Sequence, residues 1–194
     1  MSLPRSFYFL RHGETEWNRR DMIQGWSDIP LNDTGRQQAR NAAPHIAAAA
    51  IDRIVTSPLA RALETAEIIN TVLQKPLVTE VLLRERNYGV FEGKTRADFE
   101  LWQQKSTACG TLPCEENGYP CPDNGERYAD FKQRVMEGMA AHMENFAGEN
   151  ILFIAHGGVY RALRRVLTRD LGHSPNVKLY LFDKDGEAWV LREV

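Results

Sequence analysis

The 194-residue sequence contains only three cysteines, and their arrangement argues against two ways of stabilising a small fold. Cys109, Cys114 and Cys121 are too few and too closely grouped for a disulfide scaffold. Their spacing, with four and then six intervening residues, is not a usual zinc pattern, and no neighbouring histidine offers a fourth ligand. We therefore expect free thiols in a reducing cytoplasm, with a disulfide or a metal site left as alternatives.

Long apolar runs and an excess of positive charge are also missing. No stretch approaches the roughly 20 apolar residues of a transmembrane helix, and the N-terminus lacks the apolar region of a secretory signal. Lysine and arginine number 24 against 26 aspartates and glutamates, a formal net charge of −2. This balance argues against a nucleic-acid or membrane partner but permits a local cationic pocket. With 43% hydrophobic residues, the chain can bury the core of one domain.

A short apolar strand over residues 7–10 leads into the most informative motif. Residues 11–15 read Arg-His-Gly-Glu-Thr, and Asn18 follows. The strand pattern ends at a charge and a glycine, which permits a turn, and a helix is expected to begin near Thr15. A cation and an imidazole thus follow a strand and precede a helix N-terminus, where backbone N–H groups attract phosphate.

This motif resembles the signature of the histidine phosphatase superfamily, which includes the cofactor-dependent phosphoglycerate mutases. The resemblance implies that His12 is the nucleophile and that Arg11 binds the phosphoryl group, with Thr15 and Asn18 as further substrate contacts. A similar Gln-Gly loop lies beside the family's phosphate pocket, which implies a substrate contact for Gln24. The alternative for Gln24 is a loop side chain in water.

A second arginine follows the next predicted strand, over residues 53–56. Ser57 and Pro58 predict an N-cap and a first helical residue, so Arg61 falls in the first helical turn. Its side chain is expected to point back towards the strand ends. By resemblance to the family's second motif, Arg61 binds the phosphoryl group. The alternative is a surface ion pair with Glu64.

Residues 83–93, Leu-Arg-Glu-Arg-Asn-Tyr-Gly-Val-Phe-Glu-Gly, resemble the family segment that carries the proton donor. The resemblance places that role on Glu85 and a structural role on Glu92. In the superfamily's acid-phosphatase branch, an aspartate follows the second histidine. Gly157 occupies that position here, which favours the phosphoglycerate mutase-like branch and Glu85 as the acid.

Residues 151–155 form the plainest buried strand, and His156, Gly157 and another glycine follow it. This repeats the order of strand and histidine seen at His12, and ligands of open α/β sheets gather at the carboxyl ends of strands. By resemblance, His156 is the second histidine of the site and Gly157 a substrate contact. The arginines of the next helix are expected on its solvated face; they are at positions 161, 164, 165 and 169.

The remaining periodic stretches complete an alternation of strands and helices. Helices are expected over 35–50, with a capping box from Thr34, over 94–101 and over 125–146; further strands are expected over 76–79, 177–182 and 188–192. This order predicts a three-layer α/β/α sandwich with a mainly parallel central sheet and an antiparallel edge. Residues 104–124, rich in glycine and proline, are expected to form a lid-like insertion in a single domain spanning 1–194.

Together these residues predict a metal-independent phosphatase acting on small phosphate esters. A neutral imidazole at His12 would attack phosphorus to give a phosphohistidine, and Glu85 would protonate the leaving group and then activate water. Arg11, Arg61 and a protonated His156 would neutralise the phosphoryl oxygens, so no metal or cofactor is expected. The expected partner is a small phosphorylated metabolite.

Two other functions stay open. One is a phosphoglycerate mutase, although the family's mutases carry paired arginines on a larger insertion, and residues 94–127 contain only Arg96 and Arg127. Arg86 and Lys94 are the candidates for holding a carboxylate or a second phosphate. The other is a non-catalytic protein that binds phosphate esters. The oligomeric state is also left open.

Overall fold

The computed structural model of the protein describes residues 3–108, 121–169, 172 and 175–194. Its strands are β1 (Phe7–Arg11), β2 (Arg53–Thr56), β3 (Leu77–Thr79), β4 (Ile151–Ala155), β5 (Leu179–Asp185) and β6 (Ala188–Glu193). Its α-helices are α1 (Glu16–Arg19), α2 (Asp33–Ile46), α3 (Ala60–Leu73), α4 (Arg96–Ala108), α5 (Tyr128–Asn145) and α6 (Gly157–Leu163). Two 3₁₀ turns, Val81–Leu83 and Gly89–Phe91, precede α4, and a π-helical turn, Arg164–Thr168, continues α6.

The six strands form one sheet in the order β3-β2-β4-β1-β5-β6. The pairs β3–β2, β2–β4 and β4–β1 are parallel, whereas β5 is antiparallel to both β1 and β6. All five residues of β4 are buried, as expected for a central strand covered on both faces. The predicted α/β fold, mainly parallel with an antiparallel edge, is confirmed.

Helices cover both faces of the sheet because successive side chains of a strand point to opposite faces. Phe7 and Phe9 of β1 pack in a core with residues of α5 and α6. Leu10, from the same strand, packs in a second core with residues of α2 and α3. These two cores create the three predicted layers.

Two predicted helix caps are wrong, one because an earlier neighbouring residue caps the helix and the other because a residue from a different loop does so. For α2, the side chain of Asn32 accepts a hydrogen bond from Gly35 N at 2.8 Å, so the helix begins before the predicted capping box. The helix α3 begins at Ala60, whose N–H donates to Asp28 Oδ1 at 2.7 Å. An aspartate from another loop therefore replaces the cap expected from Ser57.

Other differences concern element boundaries. The helix α4 runs to residue 108, beyond the predicted 101, so residues 104–108 of the predicted insertion are helical. The strand β5 begins at Leu179 because Val177 has a left-handed φ of 50°. Pro44 remains inside α2, which ends at residue 46 and not at residue 50.

Most of the predicted lid, including Cys109 and Cys114, lies outside the described residues and stays a prediction. Cys121 is described and half-buried, with its Sγ 3.6 Å from Pro122 O. Within the described ranges, none of the helices combines the length and apolar character needed to cross a membrane.

Candidate active site

The two predicted histidines meet because β1 and β4 are parallel neighbours. Arg11 pairs with Ala155 across the two strands, so His12 and His156 leave the sheet at the same edge. His12 N donates to Ala155 O at 3.0 Å, and the two imidazole centroids are 5.3 Å apart. The carboxyl ends of the central strands therefore carry the site, as the sequence predicted.

The ring of His12 is fixed in a form suited to nucleophilic attack. Its Nδ1 lies 2.7 Å from Gly13 O, and because a carbonyl only accepts, Nδ1 must carry the proton. The lone pair then resides on Nε2. Burial, followed by the charges of Arg61 and Arg11, lowers the pKa of His12 well below its usual range. A side chain that is only 3% exposed is thus neutral at neutral pH and still nucleophilic.

Gly13 is required by close packing and not by an unusual backbone angle. A Cβ built on Gly13 would lie 2.6 Å from Gly35 O, in the first turn of α2. This differs from the turn-forming role that the sequence suggested, since the constraint comes from a helix more than twenty positions away.

Arg61 lies behind the loop that contains Gln24. It is 1% exposed; its Nη1 donates to Ser27 O at 2.9 Å and its Nη2 to Gly25 O at 2.8 Å. Burial lowers its pKa to about 10, so it remains a cation at neutral pH. Its Nε is buried and has no partner among the described residues. The alternative of a surface pair with Glu64 is wrong, because Glu64 binds Arg36 instead.

A third arginine joins Arg11 at the site. Arg161 was expected on a solvated helix face, but it lines the same cavity as His12 and is half-buried. A Cβ built on Gly157 would lie 3.4 Å from Arg11 Nε and 3.5 Å from Arg161 Nη1, so the two guanidinium groups flank this glycine. Burial and the charge of Arg161 lower the pKa of Arg11 to about 10.

The surroundings of His156 disfavour the protonated form that would make it a third cation. Burial, followed by Arg61, lowers its pKa well below the usual range, so it is neutral at neutral pH. Its Nε2 lies 2.8 Å from Ser57 Oγ, the hydroxyl that was predicted to cap a helix. Arg96 and Arg161 add positive charge to the cluster besides Arg11 and Arg61.

Backbone N–H groups hold both oxygens of the Glu85 carboxylate. Oε2 accepts from Gly158 N at 2.7 Å, and Oε1 accepts from Arg86 N at 2.8 Å. A Cβ on Gly158 would lie 1.9 Å from Oε1, so only glycine allows this approach. The second glycine after His156 thus positions the predicted proton donor.

Arg134 of α5 holds the segment that carries Glu85. It donates to three carbonyls, those of Leu82 at 2.6 Å, Arg84 at 2.8 Å and Glu85 at 2.8 Å. It also forms two bonds with the Glu126 carboxylate, at 2.6 and 2.8 Å. One half-buried guanidinium thus fixes the backbone around the acid, a role that the helical periodicity of α5 does not reveal.

Glu92 joins the acid segment to the loop around Arg61. Its carboxylate accepts from Trp26 N, Ser27 N and Tyr88 N at 2.8, 2.7 and 3.2 Å. The structural role predicted for Glu92 is confirmed by these contacts.

The remaining predicted contacts divide into two groups. Asn18, Gln24 and Gly157 line the cavity together with His12, and the cavity has a volume of about 50 Å³. Thr15 does not reach it. Its side chain is fully buried and forms a capping box with Asn18 at the start of α1.

A larger cavity of about 460 Å³ adjoins the first and shares Tyr88, Arg96 and Arg161 with it. The sequence did not predict that Arg161, which follows β4, would meet Arg96 of α4. A signal was available, since Arg161 lies in the helix directly after His156.

Among the described residues, we find no group of three or more His, Cys, Asp or Glu side chains arranged to hold a metal ion.

The fold and the site define an α/β enzyme of the phosphoglycerate mutase-like histidine phosphatase type. The chain belongs to the histidine phosphatase superfamily (branch 1), whose family model matches residues 7–194.

Relatives in this superfamily have both phosphatase and mutase names. The chain is 37% identical to the uncharacterized phosphatase PhoE of Bacillus subtilis (strain 168), covering 87% of this chain and 79% of PhoE. It is 33% identical to the probable phosphoglycerate mutase GpmB of Yersinia enterocolitica, covering 88% and 77% of the two chains.

Solved structures agree with this assignment. Bacillus stearothermophilus YhfR superposes with a TM-score of 0.80 at 29% identity, covering 97% of this chain and 95% of YhfR. The mycobacterial glucosyl-3-phosphoglycerate phosphatase Rv2419c superposes with a TM-score of 0.76 at 27% identity, covering 98% and 97%.

Proposed function

We propose that the protein hydrolyses small phosphate monoesters through a phosphohistidine on His12, without a metal ion. The observation that carries this proposal is the hydrogen bond from His12 Nδ1 to Gly13 O, which leaves Nε2 as a neutral nucleophile. His12 lines a small cavity together with four arginines, Arg11, Arg61, Arg96 and Arg161. Forked guanidinium groups match the oxygens of a phosphoryl group and supply the charge that a metal would otherwise provide.

The first half-reaction transfers the phosphoryl group to the protein. Arg11, Arg61 and Arg161 bind its oxygens, and the amide of Asn18 adds a neutral donor. His12 Nε2 forms a bond to phosphorus while the bond from phosphorus to the ester oxygen breaks. Glu85, in its acid form, gives its proton to the departing alkoxide.

The second half-reaction releases phosphate. Water attacks the phosphorus of the phosphohistidine, Glu85 accepts a proton from the water, and the P–N bond breaks. Glu85 thus returns to its acid form and His12 to the neutral imidazole. The two backbone N–H bonds to Glu85 hold it in place through both steps.

A phosphoglycerate mutase is the second candidate, and the larger cavity favours it. The sequence argument for hydrolysis depended on the scarcity of arginines in residues 94–127. In the structure, Arg96 meets Arg86, Arg161 and Arg165 around that cavity, so cations for a second anion come from outside the insertion. Release of phosphate or its transfer to a second hydroxyl then depends on the access of water.

The test is turnover of p-nitrophenyl phosphate in the presence of a chelator, for the wild-type protein and for His12→Ala. We expect activity in the wild type, loss of activity in the variant, and acid-labile labelling by a phosphate donor that requires His12. His45→Ala is the matched control, because His45 is exposed on α2.

Four results would contradict the proposal. Labelling that persists in His12→Ala would place the nucleophile elsewhere, and loss of activity on chelation would require a metal. Isomerisation of 3-phosphoglycerate, with catalytic 2,3-bisphosphoglycerate, about a hundredfold faster than phosphate release would favour the mutase by more than 2.5 kcal/mol. Binding of phosphate esters without turnover would identify a non-catalytic protein.

The other expectations stay predictions. They are the single domain with a lid, the cytoplasmic location and a small phosphorylated metabolite as the partner. The oligomeric state stays open.

A further inference from the structure

A partly exposed indole bonds directly to the backbone of the proposed proton donor. Trp26 follows Gln24 and Gly25, which line the cavity of His12, but Trp26 itself lines neither that cavity nor the larger one. It is 41% exposed, so the burial of apolar area gives only part of a reason for a tryptophan here. Its Nε1 donates to Glu85 O at 2.8 Å.

The backbone of Glu85 is held from two different elements. Besides the bond from Trp26, Glu85 O accepts a bond from Arg134 Nη2 of α5, also at 2.8 Å. A carbonyl oxygen has two lone pairs, and these two donors match them. The carboxylate is held separately by the N–H groups of Gly158 and Arg86. Both ends of the acid residue are thus fixed, one of them through Trp26.

The indole is itself held in one orientation. Its backbone N donates to Glu92 Oε1 at 2.8 Å. The Cζ atoms of Arg84 and Arg134 lie 5.5 and 5.9 Å from the ring centroid, within the range of a cation–π attraction. Because the ring is already placed by these contacts, its N–H meets Glu85 O with little further loss of conformational freedom.

The loop that contains Trp26 also holds the guanidinium of Arg61. Arg61 donates to Gly25 O and Ser27 O, the carbonyls on either side of Trp26. Three consecutive residues therefore contact both a cation that binds the phosphoryl group in the proposed reaction and the backbone of the acid. Proton transfer requires a close distance between the acid and the ester oxygen, and that distance depends on both parts.

We propose that Trp26 is a positioning residue for Glu85. Its Nε1–H sets the acid against the ester oxygen of a phosphoryl group bound by Arg61, and the indole does not touch the substrate. Its contribution is therefore to the hydrolysis of esters whose leaving group needs a proton. This inference rests on the proposed function, in which Glu85 is the general acid.

The test is Trp26→Phe, which retains an aromatic ring beside the two guanidinium groups but removes the N–H donor. The substrates are phenyl phosphate and p-nitrophenyl phosphate, which have similar shapes but differ in how much their leaving groups need protonation. We expect kcat/KM to fall about tenfold for phenyl phosphate and less than about twofold for p-nitrophenyl phosphate. Inhibition by inorganic phosphate should be unchanged, since Trp26 does not line the cavity of His12.

Trp189→Phe is the matched control. Trp189 is half-buried in β6, where its ring centroid lies 5.8 Å from that of Phe7, and it lines neither of the two cavities. The same substitution there should leave kcat/KM unchanged for both esters. An equal selective loss in this control would assign the effect to a general loss of packing and overturn the role of Trp26.

A double variant tests whether Trp26 acts through the acid. The methyl group of Gly158→Ala would overlap Glu85 Oε1 and displace the carboxylate. Once the acid is displaced, its backbone contact has little left to position. Adding Trp26→Phe to Gly158→Ala should therefore lower kcat/KM for phenyl phosphate by less than about twofold further. A further tenfold loss would show that Trp26 acts independently of Glu85 and would overturn the inference.

The inference and the proposed function fail in different ways. Equal losses for both esters in Trp26→Phe would assign Trp26 to phosphate binding, and wild-type values for both would leave it no role in the reaction; either result overturns the inference alone. A wild-type protein that hydrolyses neither ester would instead refute the proposed function, and the inference would fall with it.

Discussion

The two adjoining cavities are built in different ways. The one at His12 is small, and its main side chains are held by backbone atoms, as Arg61 is by two carbonyls and Glu85 by two N–H groups. The larger one has aromatic and arginine side chains from α4, α5 and the end of α6. Backbone contacts fix positions closely, which suits bond making, whereas side chains on separate helices adapt to the shape of a substrate. Substitutions in the two cavities should therefore change different kinetic constants.

Apart from the loss of His12 itself, the largest effect on the small cavity is expected from Gly158→Ala, which acts through Glu85. The added methyl group would overlap Glu85 Oε1 and displace the proton donor. Loss of a general acid lowers the rate by roughly 10²- to 10⁴-fold. We expect kcat to fall much more for an alkyl phosphate than for p-nitrophenyl phosphate, whose leaving group needs little protonation.

The dependence on the leaving group is the internal control for Gly158→Ala. If kcat fell equally for both esters, the substitution would have disturbed phosphate binding and not proton donation. A circular dichroism spectrum like that of the wild type would show that the fold is retained.

A smaller effect is expected for Arg61→Lys. Lysine keeps the charge but lacks the fork that holds Ser27 O and Gly25 O while facing phosphate. We expect kcat/KM to fall at least about tenfold, or about 1.4 kcal/mol of transition-state stabilisation. Arg40→Lys, at an exposed position of α2, should have no effect. A smaller loss for Arg61→Lys would place Arg61 outside the group of residues that bind the phosphoryl oxygens.

The smallest effect concerns stability and pH. Burial lowers the pKa of His12 and His156 in the folded protein, whereas both should titrate near 6.5 when unfolded. Below about pH 6.5 the unfolded chain binds protons that the folded protein does not. The free energy of unfolding therefore decreases as the pH is lowered. Each histidine contributes up to about 1.4 kcal/mol per pH unit.

Urea unfolding at a series of pH values measures this slope. His156→Gln should make it shallower, and His45→Gln should not, because His45 is exposed. Since the carboxylates are common to all three proteins, the difference between the slopes isolates the buried histidine. An unchanged slope in His156→Gln would mean that His156 is protonated in the folded state. The described wall of the larger cavity contains no histidine, so the substitution leaves that cavity unchanged.

The sequence by itself determined the elements that carry the chemistry. Alternating apolar strands and periodic helices gave the α/β order, and the two strand–histidine sequences placed His12 and His156 at strand ends. Since parallel strands present their carboxyl ends at one edge, both histidines were expected at the same edge of the sheet. The pairing of β1 with β4 then brings them together. The resemblance to the family assigned Glu85 and Arg61, and the structure brings both to the cavity of His12.

The tertiary structure decided what lies opposite each residue. Periodicity gives the face of a helix but not its neighbour, so Arg161 was assigned to solvent although it faces Arg11 across Gly157. Likewise, Ser57 fits a cap by local rules, but Asp28 from a distant loop caps α3. These contacts join residues far apart in the chain, and their energies depend on packing that no local pattern records.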